Sequence, residues 1–290
     1  MTRVLVTGAS GFVGSHIMNL LRSTDWDVGT ITDTGPDLRS PLEFDPVDVV
    51  ISLAATADPR VALRDPAAAY ENNVRIMVNT LEYARRVGAR VLHVSTNEVY
   101  GEGGGLVYRR GPYVPVYRPR GPYAGAKACQ EIICETYQDV PITIVVTQSL
   151  FGERQQPDKL VPTAIRSLLA GSPIMLQRNG TRWASRPFLH AANLAEALLI
   201  LARNGGSGSR VHVGSDRALS VRNVVDTLAD ALGKEPNIEP VPAGDRSGHE
   251  PHVQPIGCDM SGWKPRYPTV LALQDVARWY REYPQWLEPR

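Results

Sequence analysis

The stretch TGASGFVGSH, Thr7 to His16, follows directly on the strand-like run RVLV and constrains the fold more than any other. Gly8, Gly11 and Gly14 stand at GxxGxxG spacing, between a β-branched run and the helical periodicity of GSHIMNLLRST. In such a turn Gly8 lets the chain reverse, and Gly11 lets backbone N–H groups approach a pyrophosphate. Gly14 lets the helix pack close to the sheet. Phe12 and Val13 complete the turn and open the helix, whose N-terminus favours negative charge. The expectation is a dinucleotide site at the first β–α connection of an α/β fold.

The first half keeps the same alternation. VGTITD, VDVVISLAA, RVLHVST and ITIVVTQSL read as strands, while DPAAAYENNVRIMVNTLEYARRVG and YAGAKACQEIICETYQ read as helices. Near-continuous Val/Ile/Leu strands between helices predict a parallel sheet covered on both faces, a Rossmann-type doubly wound arrangement. The second half is less regular: KLVPTAIRSLLAG, NLAEALLILARNG and VRNVVDTLADALG are helical, and RVHVGS is strand-like. Gly101–Pro122 and Glu239–Pro255 are rich in Pro and Gly and read as long loops of the kind that carry function. The division expected is a nucleotide-binding domain over 1–147 and a smaller α/β substrate-binding region over 148–290, partly interleaved with the first. No flexible-linker composition separates them, so the two are expected to pack as one body.

With 290 residues and a net charge of +1, the chain gives no electrostatic reason to expect nucleic acid or an anionic membrane as a partner. No apolar run reaches the ~18–20 residues that span a bilayer, and no signal-peptide h-region precedes the first strand. Three cysteines, Cys129, Cys134 and Cys258, make an odd and sparse set without metal-site spacing. A cytoplasmic protein without structural disulfides or bound metal is expected.

The second strand ends at Asp33, about 20 residues beyond Gly14, where a carboxylate can bond ribose hydroxyls and repel a 2′-phosphate. NAD rather than NADP is the expected cofactor, although Asp33 also suits a plain turn in TDTGPD. Tyr123 and Lys127 form a YxxxK pair whose i,i+4 spacing puts both on one helical face. A cationic lysine there would stabilise the phenolate and make Tyr123 a usable base. His93 reads as a core residue and His190 as structural, while His249 is a candidate in a substrate loop.

In order along the chain, the glycine turn, the acidic strand end, the strand ending in Ser/Thr and YxxxK resemble the extended branch of the short-chain dehydrogenase/reductase superfamily. These are the NAD-dependent sugar epimerases and dehydratases. The resemblance covers nearly all of the chain. It implies that Asp37-Leu38 contacts the adenine, that Leu53-Ala54-Ala55 lines the cofactor, and that Asn73 lies near the active site. The segment from Asp33 to Asp37 is shorter than the family's, which would remove a strand. The resemblance also implies that Thr96 completes a triad with Tyr123 and Lys127, and that the enzyme is a homodimer formed by two helices of each subunit.

STNEVYG, Ser95 to Gly101, is most like the STDEVYG of dTDP-glucose 4,6-dehydratases. RQQPDKLVP, DRSGHE and the ending DVARWYREYPQWLEP also resemble segments of those enzymes. This implies a sugar-nucleotide substrate, Glu98 as the base at sugar C5, and Asn97 in place of the acidic residue that protonates the leaving C6 hydroxyl. GDP-mannose dehydratases and UDP-glucuronate decarboxylases have serine at that position, so Asn97 leaves dehydration, C4 or C5 epimerisation and decarboxylation all open. A non-catalytic regulator would be expected to lose Thr96, Tyr123 or Lys127. The family's Arg-x-x-Asn-Val-Tyr-Gly segment corresponds to Val146, Ser149, Leu150, Phe151 and Gly152. Substrate contacts are therefore expected from Thr96, Ser149, Lys159, Arg186 and Arg246, or the last three are ordinary surface cations.

Overall fold

Strands without a polar face need cover on both sides, and the central sheet supplies it. A computed structural model describes residues 2–32, 35–101, 105–108, 113–205, 209–215, 217–242 and 257–288. Six parallel strands lie in the order β12-β7-β4-β3-β1-β2. They are β1 (Arg3–Thr7), β2 (Asp27–Ile31), β3 (Val49–Ser52), β4 (Arg90–Thr96), β7 (Ile142–Thr147) and β12 (Ser209–Val213). Every residue of β3 and β7 is buried. At about 1.5–3 kcal/mol for each fully buried Val, Leu or Ile, this burial outweighs local propensity in holding the sheet. The chain steps from β1 outward to β2, then returns to the other side of β1 as β3. That reversal opens a crevice at the carboxyl ends of β1 and β3, where open α/β sheets bind ligands.

The helices obey their end signals. Helix α1 (Phe12–Leu21) buries Gly14, Ile17 and Leu21. Asp58 caps α2 (Pro59–Arg64), and Asp65 caps α3 (Pro66–Val87) by accepting from the Ala68 N–H. Each cap is followed by proline at the first helical position, where its missing N–H is not needed. Helix α4 (Pro122–Thr136) also opens on proline, and it packs against α3 and β4.

The described residues form two compact units. The first runs to Thr147 and includes Ala195–Val213; the second includes Gln148–Leu194 and the residues from Gly214 onward. In the second unit, β8 (Ser149–Phe151) pairs with β11 (Ser185–His190), which also pairs with β13 (Ala218–Ser220). Strand β9 (Ile174–Asn179) lies between β10 (Arg182–Trp183) and β14 (Ile238–Pro242). Helices α5 (Leu160–Ala170), α7 (Val221–Leu232) and α8 (Thr269–Glu282) share a core with these strands, centred on Phe151, Ile165, Leu176, Leu228, Leu273 and Tyr280. Helix α6 (Ala191–Asn204) has residues in both units.

Two expectations need correction. Gly101–Pro122 is not loop throughout: β5 (Gly105–Tyr108) and β6 (Tyr113–Val116) pair antiparallel. Val and Tyr in both strands supply the β-favouring residues that the Pro/Gly count concealed. Glu239–Pro242, read as loop, belongs to β14, where Pro240 and Pro242 sit on a strand paired on one side only. As the short Asp33–Asp37 segment implied, among the described residues no strand lies between β2 and β3.

Candidate active site

The dinucleotide turn is built from backbone. Gly8 adopts φ +70°, and the N–H groups of Gly8 and Ala9 donate to the Ile31 carbonyl at 2.8 and 3.2 Å. A Cβ on Gly8 would stand 3.1 Å from the Ala54 nitrogen, and one on Gly14 would stand 2.2 Å from the Gly8 oxygen. The turn therefore closes against α1 and the Leu53-Ala54-Ala55 segment only without those side chains. The Thr7 Oγ1 accepts from the Leu53 and Ala54 N–H groups at 3.2 and 3.3 Å, joining the ends of β1 and β3. Gly11 precedes α1 without a side-chain cap, so the helix opening at Phe12 and Val13 presents its amides to an anion. These residues fit a dinucleotide pyrophosphate.

Asn73 is fully buried and serves this crevice indirectly. Its side-chain amide behaves like a strand partner for Thr56, accepting from the N–H at 2.6 Å and donating to the carbonyl at 3.3 Å. The Asn73 carbonyl accepts from Gln130 at 2.8 Å. Asp37 holds Arg39 through Nε and Nη2, and these hydrogen bonds keep its carboxyl below the usual carboxylate range. Leu38 is buried, and its carbonyl accepts from Asn79 at 2.9 Å. Asp33 lies outside the described residues.

The chemical residues meet where β4 ends beneath the first turn of α4. Thr96 closes β4 and accepts from the Glu98 N–H at 3.3 Å, shaping a 3-10 turn over Asn97–Val99. Asn97 is buried, whereas Glu98 is partly exposed. Tyr123, the second residue of α4, shares a side-chain hydrogen bond with Thr96 and lies within the field of the Glu98 carboxylate. Burial pushes its phenol well above the ordinary tyrosine range and Glu98 adds to that, while the Thr96 bond acts in the opposite direction. Lys127 is buried one turn further along and donates to the Val94 carbonyl at 3.0 Å. Burial lowers its pKa to about 8 against the opposing pull of Glu131.

The turn is held from behind. The Tyr100 hydroxyl and His212 Nε2 on β12 are 2.8 Å apart. Gly101 has φ +54°, and a Cβ there would fall 1.9 Å from the Arg118 oxygen, an approach that only glycine permits.

Thr96, Asn97, Glu98, Tyr123 and Lys127 thus gather in one unit with Gly8, Gly11 and Gly14. Ser149 lies on β8, Lys159 precedes α5 and Arg186 lies on β11, all in the second unit. Arg246 and His249, with the rest of DRSGHE, lie outside the described residues. His93 is buried in β4, and His190 Nε2 lies 3.2 Å from the Glu153 carboxylate. Cys134 is buried with its Sγ 3.6 Å from the Met77 sulfur. Among the described residues no cluster of three metal-ligating side chains occurs, and no helix is long and apolar enough to cross a membrane. Sequence reasoning passed over Glu131, one turn beyond Lys127, and Ser95, Tyr117 and Arg210, which converge on its carboxylate. Glu131 was within reach of it, because it repeats the i,i+4 spacing of Tyr123 and Lys127.

Comparison with known proteins gives a consistent result. The model of the family described as "NAD dependent epimerase/dehydratase family" matches residues 4–214. A dTDP-glucose 4,6-dehydratase of Mycolicibacterium smegmatis is 27% identical, over 99% of this chain and 96% of its own. One of Streptomyces antibioticus is also 27% identical, over 99% and 94%. Among solved structures, the Streptomyces venezuelae dTDP-glucose 4,6-dehydratase with NAD and TYD bound superposes with a TM-score of 0.85 at 25% identity, covering 99% of each chain. The Thermus thermophilus UDP-glucose 4-epimerase complexed with NAD gives 0.82 at 26%, covering 97% of this chain and 99% of that one.

Proposed function

We propose, for a chain that belongs to the NAD-dependent epimerase/dehydratase family, that it is a sugar-nucleotide dehydratase acting at C4, C5 and C6 of the sugar. The observation that carries this reading is that the Glu98 carboxylate acts on the Tyr123 phenol, which shares a hydrogen bond with the Thr96 hydroxyl. Oxidation and reduction at C4 alone would need only the tyrosine, lysine and hydroxyl. A carboxylate at the same point adds a base for a carbon acid.

The Gly8–Gly14 turn would hold NAD, which when bound would supply a hydride acceptor for C4 and a hydride donor for C6. The residues of the chain handle the protons. Tyr123 as phenolate takes the C4 hydroxyl proton, leaving a 4-ketone, while Thr96 orients that hydroxyl. The ketone acidifies C5–H, and Glu98 removes that proton. It is then handed to the departing C6 hydroxyl, which leaves as water. The proton collected by Tyr123 returns through solvent to C5, so the balance is loss of one water with no net redox change. Asn97 cannot supply the proton for the leaving group but can hydrogen-bond its oxygen, which leaves Glu98 to act twice. Charge near the phenol decides whether Tyr123 ionises. Buried beside Glu98 it resists ionisation, and a protonated Lys127 together with oxidised nicotinamide opposes that resistance.

Lys159 and Arg186 are proposed to bind the substrate diphosphate, a task to which the family brings an asparagine where this chain has Ser149. The relatives are named for dTDP- and UDP-sugars, and a panel of dTDP-, UDP-, GDP- and CDP-sugars is the set of substrates to test. Incubation with NAD is expected to yield a product lighter by one water, read by mass spectrometry. An unchanged mass with inversion at C4 in the NMR spectrum would identify an epimerase instead. A homodimer is also proposed. Exposed Val61 and Leu63 on α2, Tyr70 on α3 and Ile132 on α4 support it, and light scattering tests it.

A further inference from the structure

Glu131 lies on α4 one turn beyond Lys127, and its side chain is fully buried. A carboxylate out of water persists only when paired and hydrogen-bonded, and three donors converge on this one. Ser95 Oγ reaches it from β4, Arg210 Nη1 from β12, and the Tyr117 hydroxyl at 3.0 Å from the segment before α4. Arg210 Nη2 also reaches the Tyr117 hydroxyl at 2.9 Å and Glu135 at 3.0 Å.

The arrangement bears on the residues that do the chemistry. Ser95 precedes Thr96, and Lys127 donates to the carbonyl of Val94 on the other side of Ser95. The helix bearing Tyr123 is therefore fastened to the strand end bearing Thr96 at two adjacent points. The charges around Lys127 are few. Its own helix brings Glu131, Glu135 and the Cys134 thiol, with Tyr123 one turn back; β4 brings His93, and β12 brings Arg210. Glu98, in the turn after β4, acts on Tyr123. Among the described residues neither ring nitrogen of His93 has a hydrogen-bond partner, and burial with Lys127 and Arg210 nearby keeps the ring neutral.

We propose that Glu131, held by Arg210 and Ser95, is a positioning residue of this active site: it fixes α4 against the end of β4 and supplies the buried counter-charge of Lys127. Its relevance to turnover rests on the function proposed above; its effect on Lys127 does not. Tyr117 and Arg210 act through it, by their hydrogen bonds to its carboxylate.

The chain has four lysines, so protein carrying 13C at lysine Cε gives a simple spectrum in which Lys127→Met identifies one signal. The Lys127 resonance is followed through a pH titration of the full chain. In Glu131→Gln its midpoint is expected to fall by about one pH unit, since the carboxylate that favours the charged form is gone. Glu131→Asp, which keeps the charge, is expected to recover most of the shift. If Glu131→Gln does not fold because Arg210 is left unpaired, the double variant Glu131→Gln/Arg210→Met is compared with Arg210→Met alone, and its midpoint is expected to lie below that of the single variant. A midpoint unmoved in these variants, or an Asp variant that behaves like Gln, overturns the proposal even if melting temperature falls. The titration needs no substrate, so a failed sugar-nucleotide assay would count against the proposed function alone.

Discussion

Asn97 is the residue whose identity bears most on rate. It is buried at the turn that also carries Glu98, and an amide there offers a hydrogen bond but no proton. General-acid assistance is worth about 10²–10⁴ in rate. Asn97→Asp is therefore expected to raise kcat for dehydration by at least about tenfold, measured as product lighter by one water; an unchanged kcat would mean that Glu98 already supplies the proton without loss. Lys127 makes a prediction of a different kind. Its pKa in the folded chain is about 8, below the ordinary lysine value of 10.5, so below pH 8 its charge is buried at a cost to stability. That cost is relieved as pH rises from about 8 towards the unfolded value, because the unfolded chain then holds the proton more tightly. Lys127→Met is expected to remove turnover yet raise the melting temperature at neutral pH, with the gain shrinking above pH 8. Loss of the Val94 carbonyl's partner reduces the gain, and a variant less stable at pH 7 than at pH 9 relative to the parent would contradict the assignment.

At the scale of elements, the β1–α1 turn has the least freedom to change. A methyl group at Gly14 would meet the Gly8 oxygen at 2.2 Å and Ala9 at 2.7 Å, all backbone. Gly14→Ala must therefore displace α1 from the sheet, and calorimetric titration is expected to show NAD affinity falling at least about tenfold, with about 1–3 kcal/mol of stability lost to overpacking. NAD affinity within a factor of about two would show that the turn tolerates the shift. This turn was legible in the sequence because its physics is local: glycine spacing, a β-branched run before it and helical periodicity after it. The six sheet strands and the helices α1, α3 and α4 were legible for the same reason. The antiparallel pair of β5 and β6 was not, since the proline and glycine around it concealed two four-residue strands. Nor were β9, β10 and β13, whose Leu176, Trp183 and Leu219 pack with Phe151 and Leu228 in a core that forms only when distant segments meet.

For the molecule as a whole, the site separates into what a pattern can carry and what only folding assembles. Thr96, Glu98, Tyr123 and Lys127 were readable from two short motifs, because strand end and helix start impose fixed spacings. Asn73 was also readable, but its work on the Thr56 backbone was not. Arg210 lies 79 residues from Glu131, and no local spacing connects them; β12 brings them together only when it joins β7 in the sheet. The proposed mechanism draws on both levels: it assigns Tyr123 and Glu98 to the reacting atoms, and to a buried ion pair the fixing of the helix that carries Tyr123. Its central claim is that Glu98 removes the C5 proton of a sugar already oxidised at C4. The most direct test is turnover of a sugar nucleotide in deuterated water, with NMR reading the label at C5. Deuterium is expected at C5 of a product that has lost one water, and in Glu98→Gln neither that product nor label at C5. Product without label at C5, or undiminished labelling in Glu98→Gln, would contradict it.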